Sequence, residues 1–134
     1  MLGDKIGEMS GKISSQRVLS IADGRVKMES SVQGNGTLLG AKVKEIGTYI
    51  AVFLADGTQH GEGSGIMMTA DGEIATWTGH GVGKANKDGT ASYRGSLIFQ
   101  TTPAQLSRLN NIAVVFEYTV DAHGDTHSDY WEWK

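Results

Sequence analysis

Apolar and polar residues alternate with a period of two along much of the chain. Between about 73 and 86, Trp77, Gly79, Gly81 and Gly83 fall on one face, with Thr76, Thr78, His80 and Val82 on the other. The preceding segment repeats this, setting Gly61, Gly63 and Gly65 against His60, Glu62 and Ser64. Such alternation predicts strands. The strands are punctuated by one recurring turn: Ala22-Asp23-Gly24, Ala55-Asp56-Gly57, Ala70-Asp71-Gly72, Lys87-Asp88-Gly89 and Ala122-His123-Gly124. Each suits a three-residue hairpin loop, two residues in a type I turn and then a left-handed glycine. The turn glycines stand 33, 15, 17 and 35 residues apart. The short gaps hold one strand each and the long gaps two. With the chain ends this makes eight strands and a single domain, residues 1–134.

Two joins are irregular. Gly34-Asn35-Gly36 through Gly40 predicts a flexible corner, so the Asn35-Gly36-Thr37 sequon reads as a turn. Thr102-Pro103-Ala104-Gln105 has the form of a capping box and predicts one short helix near 103–109, with Leu106 and Leu109 toward the sheet. Consecutive antiparallel strands of this length close on themselves to remove exposed edges. The fold class is therefore all-β, a closed eight-stranded antiparallel barrel.

The loops also fix register. A three-residue loop at 70–72 places 69 opposite 73, and hence Glu62 opposite His80. Carried across neighbouring loops, this puts the odd-numbered residues of the third to sixth strands on one face, among them Tyr49, Phe53, Trp77, Tyr93 and Phe99. Glycine relieves crowding where a strand bends inward, which assigns the odd face to the interior. The even face carries Ile50, Ile66, Met68, Ile74 and Ile98, too apolar to be left wholly to solvent, and predicts a homo-oligomer.

Composition narrows the function classes. A net charge of -3 and a pI near 5.7 argue against a nucleic-acid partner. Residues 1–20 hold neither an export core nor a membrane span, so the expectation is a cytoplasmic protein without a membrane partner. With no cysteine, disulfides, thiolate nucleophiles and cysteine-ligated zinc are excluded. The run Gly79-His80-Gly81-Val82-Gly83-Lys84 resembles a phosphate loop only superficially. Its first glycine is too close to Gly83, and Ala85 replaces the needed hydroxyl. Ser64 between two glycines lies within a strand and lacks a nucleophile elbow.

Two polar groupings could carry chemistry. Glu62, His80 and, diagonally, Arg94 form an acid–base candidate on the even face, and His60, Glu62 and His80 weakly suggest a metal site. No metal or other cofactor is expected to be required. Glu117 falls opposite Asp129 in the last hairpin, with Arg94 as a counterion if that pair is buried. Candidate ligand-binding residues are Tyr49, Trp77 and Tyr93 for stacking, with Arg94 and Glu117 as polar contacts.

The chain also resembles a family of uncharacterised bacterial proteins whose barrel is like that of plant allene oxide cyclase. The resemblance rests on Gly61-Glu62-Gly63, Trp77 through Gly83, Tyr93-Arg94-Gly95-Ser96, Leu106 through Asn110, Val115-Phe116-Glu117 and the ending Trp131-Glu132-Trp133-Lys134. It implies an eight-stranded antiparallel barrel and an oligomer, and it brings no reaction. Two readings stay open: a barrel that binds a small, partly apolar molecule, or an isomerase or cyclase-like lyase using Glu62 and His80.

Overall fold

The computed structural model describes all 134 residues, Met1 to Lys134. Its strands are β1 (Leu2–Ala22), β2 (Arg25–Leu38), β3 (Ala41–Phe53), β4 (Thr58–Thr69), β5 (Ile74–Ala85), β6 (Ala91–Thr101), β7 (Val114–Val120) and β8 (Asp125–Trp133). Each pairs antiparallel with the next, and β8 pairs back to β1, closing an eight-stranded barrel. The one helix is a short 3-10 segment, Ala104–Asn111, between β6 and β7.

Four of the five expected hairpin loops form as read. Their glycines, Gly57, Gly72, Gly89 and Gly124, all have positive φ, and backbone bonds such as Thr69 N–H to Glu73 O close the loops. The fifth is tighter. Ala22 pairs directly with Arg25, leaving a two-residue turn in which Asp23 and Gly24 both have positive φ (55° and 74°). The expected flexible corner is also corrected. Asn35 is paired on both sides, with Ser10 and Lys44, and the chain reverses at Leu39-Gly40 in a second two-residue turn.

Loop length decides which residues face the lumen. The three-residue loops keep odd-numbered residues inward from β3 to β6, so Tyr49, Trp77 and Tyr93 point inside as the glycine argument predicts. The two-residue turn before β3 and the helical connection after β6 each switch the parity. Ser30 and Val32 of β2, Tyr118 of β7 and Tyr130 of β8 therefore point inward, while Glu117, His127 and Asp129 point outward.

One end of the barrel is plugged. Leu38, Met67, Phe99, Leu106, Leu109 and Val114 are all less than 2% exposed and pack in one cluster with Ile6, Met9 and Tyr130. The helix supplies Leu106 and Leu109, as expected, but its capping box does not form. Pro103 sits extended at the N-cap without a side-chain cap, and Gln105 instead donates to Glu73 across the barrel end. Asn110 clamps the helix to β6 through two bonds of 2.9 Å to the Thr101 backbone.

The other end is open and lopsided. β1 pairs with β8 only as far as Lys12, so its second half, from Ser14 to Ala22, is held by β2 alone and rises beyond the rim. Register shifts between Ile13 and Ser15 and between Val18 and Ser20 interrupt this free edge. Such bulges hinder pairing with foreign strands. On the outer wall Ile46, Val82 and Ile98 remain more than half exposed.

Closure brings some backbones very near each other. A Cβ on Gly95 would stand 1.9 Å from the His80 carbonyl oxygen and 2.6 Å from Gly81 Cα, whereas one on Gly61 would meet only the Ile50 oxygen at 3.7 Å. Gly95→Ala is therefore expected to cost roughly 1–3 kcal/mol through overpacking. Gly61→Ala should gain roughly 0.5 kcal/mol by reducing unfolded-chain freedom. Urea unfolding of the two variants checks this, and equal midpoints would contradict the close approach.

Candidate functional site

Inward-facing glycines and aromatics share the middle of the barrel. Gly61 and Gly63 of β4 and Gly79 and Gly81 of β5 present no side chain to the lumen, and a cavity of about 80 Å³ remains beside them. Its other walls are mainly aromatic: Tyr49, Trp77, Tyr93, Phe116, Tyr118 and Tyr130. Above it, at the open end, lies a wider chamber of about 530 Å³ bounded by Phe53, Gln59, Asn86, Val120 and Asp121 among others. Tyr49 and Tyr93 line both spaces.

The tyrosines hold one another. Ring centroids of Tyr49, Tyr93 and Tyr118 lie 5.7–6.1 Å apart, two of the three pairs edge-to-face, a favourable arrangement for aromatic quadrupoles. The Tyr49 and Tyr118 hydroxyls are 3.3 Å apart, and Tyr93 donates to the buried Gln59 carbonyl. Burial pushes the phenols of all three upward, and that of Tyr130 likewise, so they stay neutral.

Glu45 is the residue the sequence reading missed. It lies on β3 in the inward register, four residues before Tyr49, lines the inner cavity and is only 7% exposed. Its Oε2 accepts the Trp77 indole N–H at 3.1 Å, and the nearby Tyr130 hydroxyl also favours its charged form. Trp77 can reach it because Gly47 and Gly65 leave room for the indole; a Cβ on Gly65 would stand 2.5 Å from the ring. Burial pushes the Glu45 carboxyl up to about 7, against the opposing pull of Trp77 and Tyr130.

The predicted site residues divide between the two faces. Tyr49, Trp77 and Tyr93 line the cavity. Glu62 and His80 are cross-strand partners as the register requires, but their side chains are exposed on the outer wall, and only their strand segments border the cavity. Arg94 is also outside, one strand over and 3.6 Å from Glu117, which the parity switch after β6 turns outward. The assignment of Glu62, His80, Arg94 and Glu117 to chemistry or binding within the barrel is thus corrected: even-numbered residues of β4 to β6 and odd-numbered ones of β7 face solvent. His60 shares that outer face, opposite Val82.

A different titratable group gathers on the outside. Glu8, His127 and Asp129 bring possible ligand atoms within 4.8 Å of one another. Lys5 already lies among them, 3.0 Å from Glu8 and 2.9 Å from Asp129, so a cation is built in.

The fold and this lumen define a small closed β-barrel with an aromatic interior. No protein-family model matches the chain, and no curated protein matches its sequence. Solved structures do match over nearly the full length. A protein of unknown function from Clostridium acetobutylicum aligns with a TM-score of 0.84 at 10% identity, covering 98% of each chain. A β-barrel-like protein from Acinetobacter baumannii aligns at 0.83 and 13%, covering 98% of this chain and 94% of that one. An enzyme from Penicillium herquei aligns at 0.71 and 16%, covering 98% and 92%. At these identities the likeness shows the fold. No helix is long and apolar enough to cross a membrane.

Glu45 sets a pH dependence whose sign follows from its shift. The folded protein holds the proton up to about pH 7 and the unfolded chain releases it near 4.5, so stability falls as pH rises between those values. Urea unfolding should give a protein more stable at about pH 5 than at about pH 8, by up to ~3 kcal/mol. Glu45→Gln should flatten that difference, and an unchanged slope would show that Glu45 is not the group responsible.

Proposed function

We propose that the barrel binds a small, predominantly apolar molecule in its lumen. The observation that carries this reading is the pair of chambers sharing Tyr49 and Tyr93, the inner one walled mainly by aromatic rings and glycine backbone. A filled eight-stranded barrel would place a side chain where Gly61 leaves space, its nearest neighbour to an added Cβ being the Ile50 oxygen at 3.7 Å. Concave apolar sites with few polar groups suit small ligands, and here those groups are Glu45, Ser128 and the phenols. The isomerase or cyclase-like lyase alternative loses its acid–base pair, since Glu62 and His80 project away from the lumen. Binding without turnover is the reading kept.

N-phenyl-1-naphthylamine, a neutral dye that brightens in apolar surroundings, tests it. Saturable, blue-shifted fluorescence is expected with the wild type. Gly61→Leu, whose side chain has room to project into the cavity, should weaken that signal at least about tenfold, a loss of about 1.4 kcal/mol. The melting transition should be retained. Equal dye binding by both proteins, or none by the wild type, would remove the lumen as a site.

A homo-oligomer remains part of this reading, supported by the exposed Ile46, Met68, Ile74, Val82 and Ile98 on the outer wall of β3 to β6. Sedimentation at micromolar concentration should show a species larger than the 14.3 kDa chain. Ile98→Lys should shift it toward monomer, and a wild type that sediments only as monomer would end the idea.

A further inference from the structure

The charges of this protein are sorted by face. All 12 lysines and arginines are exposed, and none lines either chamber. The lumen nevertheless holds an ionisable acid, Glu45, whose partners are the neutral donors Trp77 and Tyr130. The inner cavity therefore offers one acid and aromatic faces, with no lysine or arginine among its walls.

We propose that the lumen takes a small organic cation, an amine or quaternary ammonium with an apolar body, held against the aromatic walls with Glu45 as its counterion. This rests on the lumen-binding reading above and names its ligand class. The faces of tyrosine and tryptophan rings carry negative quadrupole density, and a desolvated cation gains most from them. A buried carboxylate is costly to ionise without an opposite charge, and a bound cation supplies that charge. In the inner cavity an anionic ligand would meet Glu45 and neutral groups, since Arg94 lies outside.

The groups facing Glu45 decide the pH behaviour. From its own strand comes Tyr49, from β5 Trp77, from β7 Tyr118 and from β8 Tyr130, while β2, β4 and β6 line the same cavity with Val32, Gly63, Leu97 and Tyr93. The phenols are held neutral by burial, so Glu45 is the one group there that titrates near neutrality. The free site is about half protonated at pH 7, and cation binding must expel that proton.

Calorimetry with choline and its neutral isostere 3,3-dimethylbutan-1-ol separates the two readings. At about pH 8 choline should bind at least about tenfold more tightly than the alcohol, and about tenfold more weakly at about pH 6, with protons released into the buffer on binding. The alcohol should show no such dependence. Glu45→Gln, which keeps an acceptor for Trp77, should erase both the preference and the proton release. Should that variant fail to fold, the wild-type comparison decides alone. Alcohol binding without choline binding, or choline affinity independent of pH, overturns the cation and leaves the apolar site standing. If neither molecule binds and the naphthylamine dye is also excluded, both readings fall.

Discussion

Closing eight strands on themselves leaves an interior about wide enough for packed side chains. Each inward residue therefore competes for space with its cross-strand neighbours. This chain resolves the competition differently at its two ends. Around Leu106 and Leu109 large apolar residues interlock into a dry plug. Through the middle of β4 and β5 the inward positions are glycine, and the cavity beside them is bordered by rings from β3 and β5 to β8. Plug and cavity are two outcomes of the same limit.

The second consequence of that limit is electrostatic. In so narrow a lumen an acid cannot reach bulk water, and Glu45 is left with the indole N–H and one phenol. Hydrogen bonds to the charged form partly offset the desolvation, and the raised carboxyl pKa measures what they leave uncompensated. The outer wall shows the opposite regime. Arg94 with Glu117, or Lys5 with Asp129, lie on the outer wall within reach of solvent, where such pairs contribute little. The distribution of charge, rather than its total, distinguishes the interior.

Strand number, four hairpin loops and the facing of Glu62 and His80 were legible because turn glycines and a period of two are local signals. The parity switches were harder to read. One depends on Leu39 adopting a positive φ, which its side chain does not favour, and the other on a helical connection whose length the capping motif misstates. Glu45 was overlooked because an acid between Lys44 and Ile46 looks like surface; its shared parity with Tyr49 was the available signal. The polar cluster of Glu62, His80 and Arg94 drew notice through residue type, yet register had already placed it on the face opposite Trp77.

The plugged end makes the lumen a blind tube. A molecule in the inner cavity must leave by the way it came, between Tyr49 and Tyr93, so entry and exit cross one barrier. Height of that barrier sets both rates and cancels from their ratio. A wider neck would hasten arrival and departure together, whereas an altered chamber floor would change residence time alone. A barrel of this shape would separate how fast it exchanges an occupant from how firmly it keeps one.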